Sequence, residues 1–210
     1  MKFCSHCATE VEFRIPAGDN RQRYVCPSCD TIFYQNPRIV AGTLPFYYHD
    51  GEPQILLCKR AIEPRKGFWT LPAGFMENGE TTEQAAERET REEALADVTV
   101  QSLFTMVSVP HIDQVHMFFL ARMEKHQFGA GEETAEAKLF REQDIPWKEI
   151  AFPTVARTLK RFFEYKNDSA ALARCHSSAI LPSEALRKLE AEERERQKRE
   201  AQKSTNGQTS

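Results

Sequence analysis

A chain of 210 residues that is 40% hydrophobic has enough apolar material for one catalytic domain of ordinary size and a small appendage. Its formal net charge of −3 supplies no general field for a polyanion, which argues against nucleic acid as a bulk partner. No apolar run approaches the ~20 residues of a membrane span, and the start, MKFCSHC, lacks the apolar stretch of a secretory signal. Six cysteines without such a signal read as thiols or metal ligands in a reducing compartment, so a cytoplasmic protein is expected.

Residues 1–36 carry Cys4-x-x-Cys7 and Cys26-x-x-Cys29, eighteen residues apart, the spacing of a zinc ribbon. Each pair fits a tight knuckle, and four thiolates complete a tetrahedral Zn²⁺ shell with no open position, so this zinc is expected to be structural. So short a segment cannot bury a core alone, and metal binding supplies its folding free energy. Two reciprocal pairs argue against a redox Cys-x-x-Cys, and His6 is not needed as a ligand. Arg14, Arg21 and Arg23 alternate with Glu10, Glu12 and Asp19, so no basic stripe for nucleic acid emerges.

Asn36-Pro37 closes this segment. Residues 38–48 (RIVAGTLPFYY) are rich in strand formers, although Pro45 predicts an edge strand or a bulge there. His49-Asp50-Gly51 is a turn, and residues 55–59 (ILLCK) form the return strand of a hairpin. Cys58 within that run reads as a small buried hydrophobe. A polar loop, residues 60–67, leads to Phe68-Trp69-Thr70-Leu71-Pro72.

The next stretch, residues 70–96, reads TLPAGFMENGETTEQAAERETREEALA. Thr81 and Gln84 stand at capping-box spacing, predicting a helix from Thr81 or Thr82 to about Ala96. On it Glu89, Glu92 and Glu93 lie at i, i+3 and i+4 and share one face. Like charges stacked this way cost roughly 0.2–0.5 kcal/mol per pair, and a hard divalent cation removes that repulsion. Oxygen ligands without histidine favour Mg²⁺ or Mn²⁺ over Zn²⁺.

Gly74, Glu80, Arg88-Glu89 and Glu92-Glu93 resemble the signature of the Nudix hydrolase family: glycine, five residues, glutamate, seven residues, Arg-Glu, two residues, Glu-Glu. Two positions depart from it. Thr90 fills an apolar slot, and Leu95 stands in place of a second glycine that marks the turn after the helix. Gly67-x-Trp69-x-Leu71-Pro72 also matches the segment leading into the family's box. The resemblance implies an α/β fold, the Nudix α/β/α sandwich with a mixed sheet, preceded here by the small ribbon. It further implies that Glu89, Glu93 and the Gly74 carbonyl are the principal Mg²⁺ or Mn²⁺ ligands. Lack of a Cβ at Gly74 lets that carbonyl approach a metal closely. Glu92 is either another ligand or the base that takes the proton of the attacking water. Arg88 orients the carboxylates with Glu80 as its partner. Trp69 is a core residue or a base-stacking one.

After the box, residues 97–109 and 114–123 read as two strands joined by a turn at 110–113. In the family the loop after such a strand pair often takes part in substrate selection, which makes Ser108 and His111 substrate-binding candidates. His116 reads as packed or hydrogen-bonded. Residues 127–133 (QFGAGEE) form an acidic loop before a strand at 135–140. In the family a glutamate in this region frequently supplies a further ligand or the base, so Glu133 and Glu136 are candidates. Residues 152–166 form an amphipathic helix with Val155, Leu159, Phe162 and Phe163 on its core stripe.

The chain therefore divides into a ribbon (1–36), a Nudix domain (37–166) and a linker with a charged helical or disordered tail (167–210). Residues 183–203 hold six acidic and seven basic side chains, so the tail is not a polybasic lipid or nucleic-acid anchor. The expected reaction is metal-dependent hydrolysis of the pyrophosphate bond in a nucleoside diphosphate linked to another moiety. The ribbon-plus-box layout resembles enzymes acting on FAD and ADP-ribose. NADH is an alternative substrate, weakened because Ser108-Val109-Pro110-His111-Ile112 replaces the Ser-Gln-Pro-Trp-Pro-Phe-Pro run of that branch. A non-catalytic nucleotide sensor whose ribbon contacts a partner is another reading, set against the intact carboxylates, and an RNA-cap hydrolase is a third, set against the lack of a basic stripe. The partner expected is a small dinucleotide, with no membrane; many family members are homodimers.

Overall fold

A computed structural model describes residues 1–182 and divides into two compact units, Met1–Pro37 and the chain from Arg38 onward. The charged helix expected over residues 183–203 lies outside the described residues. Among the described residues no helix is long and apolar enough to cross a membrane.

The first unit is a three-stranded antiparallel sheet in the order β1 (Glu12–Arg14), β2 (Arg23–Val25), β3 (Ile32–Phe33). Its two cysteine knuckles are built alike. Ala8 and Asp30 both adopt positive φ and donate their N–H to the carbonyls of Cys4 and Cys26, at 2.9 and 3.0 Å. Cys4 and Cys26 in turn donate to the Thr9 and Thr31 carbonyls, at 2.8 and 2.9 Å.

The second unit is built on an eight-stranded mixed sheet. A long hairpin, β4 (Arg38–His49) and β5 (Glu52–Arg60), turns at Asp50-Gly51, both at positive φ, which suits the right-handed twist of the strands. Two short strands follow, β6 (Trp69–Thr70) on β5 and β7 (Ala73–Phe75) on β4. Helix α1 (Thr82–Ala94) precedes β8 (Thr99–Val109) and β9 (Gln114–Arg122), with a 3₁₀ turn at Pro110–Ile112 between these strands. Then come β10 (Thr134–Phe140), α2 (Pro153–Tyr165), the short α3 (Ser169–Leu172) and β11 (His176–Ala179). The main path runs β10-β5-β4-β9-β8-β11, with β4/β9 and β8/β11 parallel and the other pairs antiparallel.

The two faces of this sheet are covered differently. On one, Val155, Leu159, Phe162 and Phe163 of α2 pack on Leu44, Phe46, Ile55, Leu57, Phe104 and Phe118. On the other, α1 lies close because the apolar side chains it presents are the small Ala85, Ala86 and Ala94, set against Ala41, Phe119, Leu56 and Cys58. The result is the α/β/α sandwich with a mixed sheet expected from the sequence.

Several expectations need correction. Pro45 stands in a central strand, not at an edge. On one side of β4, residues Val40–Gly42 pair with β7 and Phe46–His49 with β5, so position 45 falls between the two pairings and its missing N–H breaks no ladder there. Helix α1 ends at Ala94, two residues early, because Leu95 takes the left-handed conformation (φ 46°, ψ 35°) at its C-terminus. Nor do residues 167–179 form a plain linker: β11 closes the sheet beside β8. His176 heads that strand, its ring stacked on Tyr165 at 5.0 Å, a contact no local pattern announces.

Candidate active site and metal centre

In the ribbon, the ligand sulfurs of Cys4, Cys7, Cys26 and Cys29 all lie within 4.8 Å of one another, and Cys7 and Cys26 approach to 3.4 Å. The cysteines are free thiols, and Cys4 and Cys26 are buried while Cys7 and Cys29 are exposed. Four soft sulfur donors at tetrahedral-cage spacing fit a thiophilic metal. His6 stays outside the set: its Nδ1 pairs with the Thr31 hydroxyl at 3.3 Å.

The second candidate site hangs on α1. Thr81 caps the helix and accepts the Gln84 N–H at 3.2 Å, while the Gln84 side chain accepts the Thr81 N–H at 2.8 Å. Midway along, the Thr90 hydroxyl donates to the Ala86 carbonyl at 2.7 Å and pairs with Thr43 of β4 at 2.6 Å. That buried pair explains how a polar residue serves in an apolar slot: both hydroxyls are satisfied, and they lock the helix to the central strand. One residue before Thr43, Gly42 lets the Pro72-Ala73 segment lie against β4, since a Cβ there would strike both residues.

Arg88 organises the carboxylates. Its guanidinium forks onto Glu80 at 3.0 and 2.7 Å, reaches Glu89 at 2.7 Å and Glu92 at 3.1 Å, and donates to the Phe75 carbonyl at 3.2 Å. The bonds from Arg88 and from the Glu77 N–H hold the Glu80 carboxyl down at about 2. Glu93 is the most enclosed, with its Oε2 accepting the Ala73 N–H at 3.2 Å. Burial, reinforced by the charges of Glu89 and Glu133, pushes its carboxyl up to about 8, against the pull of Ala73 and Arg60. Burial also raises Glu89, with Arg88 opposing. Glu92 leaves its side chain 60% exposed.

Gly74 completes the arrangement. A Cβ at this position would fall on the Glu89 carboxylate, so that carboxylate rests directly on the Gly74 backbone. The site thus gathers oxygen donors only, crowded enough to raise two of the acids, and this donor chemistry fits a hard divalent cation.

Not every candidate residue belongs here. Glu133 adjoins the site: its charge adds to the burial that raises Glu89 and Glu93. Glu136 does not. Strand alternation sets it with Lys138 and Phe140 toward the α2 face, whereas Ala137 and Leu139 pack toward α1. Trp69 is only 5% exposed, edge-on to Phe140 at 4.9 Å in the core, so no base can stack on it. Ser108 sits half-buried in β8 between β9 and β11. His111 is exposed on the 3₁₀ turn, which adjoins Arg38 through the Asp113 carbonyl at 2.9 Å. Arg38 in turn covers the exposed Phe75 ring at 4.4 Å, so this turn lies at the end of β4 from which the box begins. His116 is a packed residue, bonded to Thr154 and Gln114, and burial lowers its pKa. Cys58 is buried and its thiol is pushed up by that burial.

Sequence reasoning missed the Ala73 N–H beneath Glu93 and the Thr43–Thr90 pair. It also missed two backbone bonds from the acidic loop to α1, Gly129 to the Ala94 carbonyl at 2.8 Å and Gly131 to the Glu93 carbonyl at 3.1 Å. The Gly-Ala-Gly run was the one available signal.

Comparisons with known proteins agree with this geometry. Residues 2–35 match the family model described as Nudix N-terminal, a zinc ribbon, and residues 37–162 match the NUDIX domain. An ADP-ribose pyrophosphatase of Methanocaldococcus jannaschii is 34% identical over 118 residues, 54% of this chain and 68% of that protein. An NAD-capped RNA hydrolase NudC of Edwardsiella ictaluri is 30% identical over 82% of this chain, but the match spans 62% of the relative, less than two thirds of its length. A crystal structure of a NUDIX hydrolase from Nitrosomonas europaea superposes with a TM-score of 0.78 at 47% identity, covering 86% of this chain and all (100%) of that one. With its domain model, its fold and its carboxylate-bearing helix in agreement, the chain belongs to the Nudix hydrolase family.

Proposed function

We propose that this protein hydrolyses the pyrophosphate bond of a nucleoside diphosphate linked to another moiety, with ADP-ribose or FAD as substrate. The observation that carries the reading is the Glu89 carboxylate resting on the Gly74 backbone beside buried Glu93, with Glu89 braced by Arg88 and Glu80. The name of the M. jannaschii relative supports ADP-ribose ahead of FAD. Glu89, Glu93, Glu133 and the Gly74 carbonyl would hold Mg²⁺ or Mn²⁺, and Cys4, Cys7, Cys26 and Cys29 would hold Zn²⁺.

A divalent cation bound at the carboxylates would neutralise the diphosphate and lower the pKa of a bound water. The chain's own groups then divide the remaining work. Ala73 fixes the Glu93 carboxylate by its N–H. Arg88, saturated by acids, holds Glu89 and Glu92 in register and has no donor to spare for the substrate. Glu92, more solvent-open than Glu89 and Glu93, accepts the proton of the attacking water. Six free cysteines suit a reducing compartment such as the cytoplasm.

The test is product analysis after incubation with Mg²⁺ or Mn²⁺ and ADP-ribose, FAD, NADH or NAD-capped RNA, each separately. AMP with ribose 5-phosphate is expected from ADP-ribose, and AMP with FMN from FAD. Turnover of NADH or capped RNA alone would replace the substrate assignment, and no product from any would favour a nucleotide sensor.

A further inference from the structure

The loop between β9 and β10 does more than carry an acid. Helix α1 ends without the glycine that usually makes the turn there, and Leu95 holds a left-handed conformation that costs a branched residue about 1–2 kcal/mol. The carbonyls of Glu93 and Ala94 at that end need donors. They receive them from the loop: the Gly129 N–H bonds Ala94 and the Gly131 N–H bonds Glu93.

The two glycines are not equivalent. A Cβ on Gly129 would meet only the tip of the Leu95 side chain, at 3.3 Å, which can give way. A Cβ on Gly131 would land on the backbone carbonyl oxygen of Glu92, with the Glu93 Cα beside it. Helix backbone cannot give way, so any side chain at 131 must lift the loop. Two residues on is Glu133. Its peptide is pinned on the other side by the Ala61 N–H, which donates to the Glu133 carbonyl at 2.8 Å, and the Thr134 N–H closes the turn on the Gly131 carbonyl at 3.1 Å. Gly131 therefore ties together the backbone of Glu93 and the turn that presents Glu133.

We propose that Gly131 is a positioning residue for the metal centre, setting the separation between the Glu133 carboxylate and the Glu89–Glu93 pair by docking directly on the helix backbone. The inference rests on the reading of Glu133 as a metal ligand. Because the contact is backbone to backbone, it acts on geometry and leaves the number of carboxylates unchanged. A Gly131→Ala protein keeps every ligand but holds them too far apart, so its deficit is one of metal affinity and is recovered by raising the metal concentration.

Mn²⁺ titration followed by electron paramagnetic resonance, which needs no substrate, gives the direct readout. The full-length protein with Gly131→Ala is expected to bind Mn²⁺ about tenfold more weakly, with kcat at low Mg²⁺ falling by a similar factor, recovered at high Mg²⁺, and KM little changed. Gly129→Ala should match the parent. In a Glu133→Gln background, Gly131→Ala should cost nothing further. An equal loss in both backgrounds, or a loss that high Mg²⁺ does not recover, would overturn the positioning role. Glu133→Gln with unchanged Mn²⁺ affinity would instead sink the reading of Glu133 itself. Should Gly131→Ala not fold, judged by circular dichroism, one glycine inserted after Glu132 keeps the docked residue and displaces Glu133. The same tenfold loss is expected from it, and unaltered Mn²⁺ binding would refute the proposal.

Discussion

At the scale of single residues, the sharpest tension is the Glu93 carboxyl, buried beside Glu89 and Glu133. Its ordinary value of 4.5 is pushed up to about 8 in the fold. A raised acid contributes stability that is fully present below its unfolded value and lost as pH rises through its folded one. Metal-free protein should therefore lose thermal stability as pH climbs from about 4.5 to about 8, with a divalent cation restoring it at the upper end. Scanning calorimetry at several pH values with EDTA or Mg²⁺ checks this. The stabilisation by Mg²⁺ should be large at pH 8, small at pH 5, and absent in Glu93→Gln at both. The same substitution should lower kcat by at least a hundredfold with the circular dichroism spectrum unchanged; parental turnover would remove Glu93 from the chemistry. Arg88→Lys keeps a cation but loses the fork that spans Glu80, Glu89 and Glu92. A fall of about tenfold or more in kcat at saturating substrate is the expected reading of steady-state kinetics.

At the scale of elements, α1 shows what the sequence discloses and what it hides. Thr81 and Gln84 announce the helix start because capping is local chemistry, legible at a spacing of three. The end was misjudged by two residues because a leucine in the left-handed region is held there by a loop more than thirty residues away, which no window of sequence contains. Pro45 was misread for a related reason: whether a proline breaks a ladder depends on which strands arrive beside it. Glu136 likewise needed the register of β10 to show which face it occupies. The cap also has a measurable worth. Thr81→Ala removes the side-chain acceptor for the Gln84 N–H and should cost about 1 kcal/mol in urea unfolding, with the slope unchanged. No measurable cost would mean water replaces the cap fully.

At the scale of the whole molecule, the two units rest on different physics. The sheet unit is held by a packed core in which Phe104, Phe118, Phe162 and Leu44 are fully enclosed. The ribbon of Met1–Pro37 has little such core, with Phe3, Phe13, Ile15 and Tyr34 all exposed. Its order should come from the metal. One zinc equivalent per chain is expected from thiol modification with a chromogenic chelator, and Cys26→Ser should lower that stoichiometry. Retained stoichiometry in the variant would argue that three sulfurs suffice. These cysteines were readable from spacing alone, since knuckles are short-range. The carboxylate helix was readable as well. Glu133 and Glu136 stood as equal candidates in the sequence, because which face of the sheet each occupies depends on the register of β10.

The fork at β4 has one more consequence. Because β7 and β5 share one side of this strand and β9 runs along the other, the floor beneath Gly74 is flanked on both sides. Thr43, in the crook of the fork, is bonded to the helix that carries the acids. A strand so enclosed has no edge from which to fray, and its amide protons should exchange with solvent only when the entire sheet unit opens. The machinery above it then shares that fate: gentle heating should leave the protein wholly competent until the cooperative transition, with no dead yet folded species on the way.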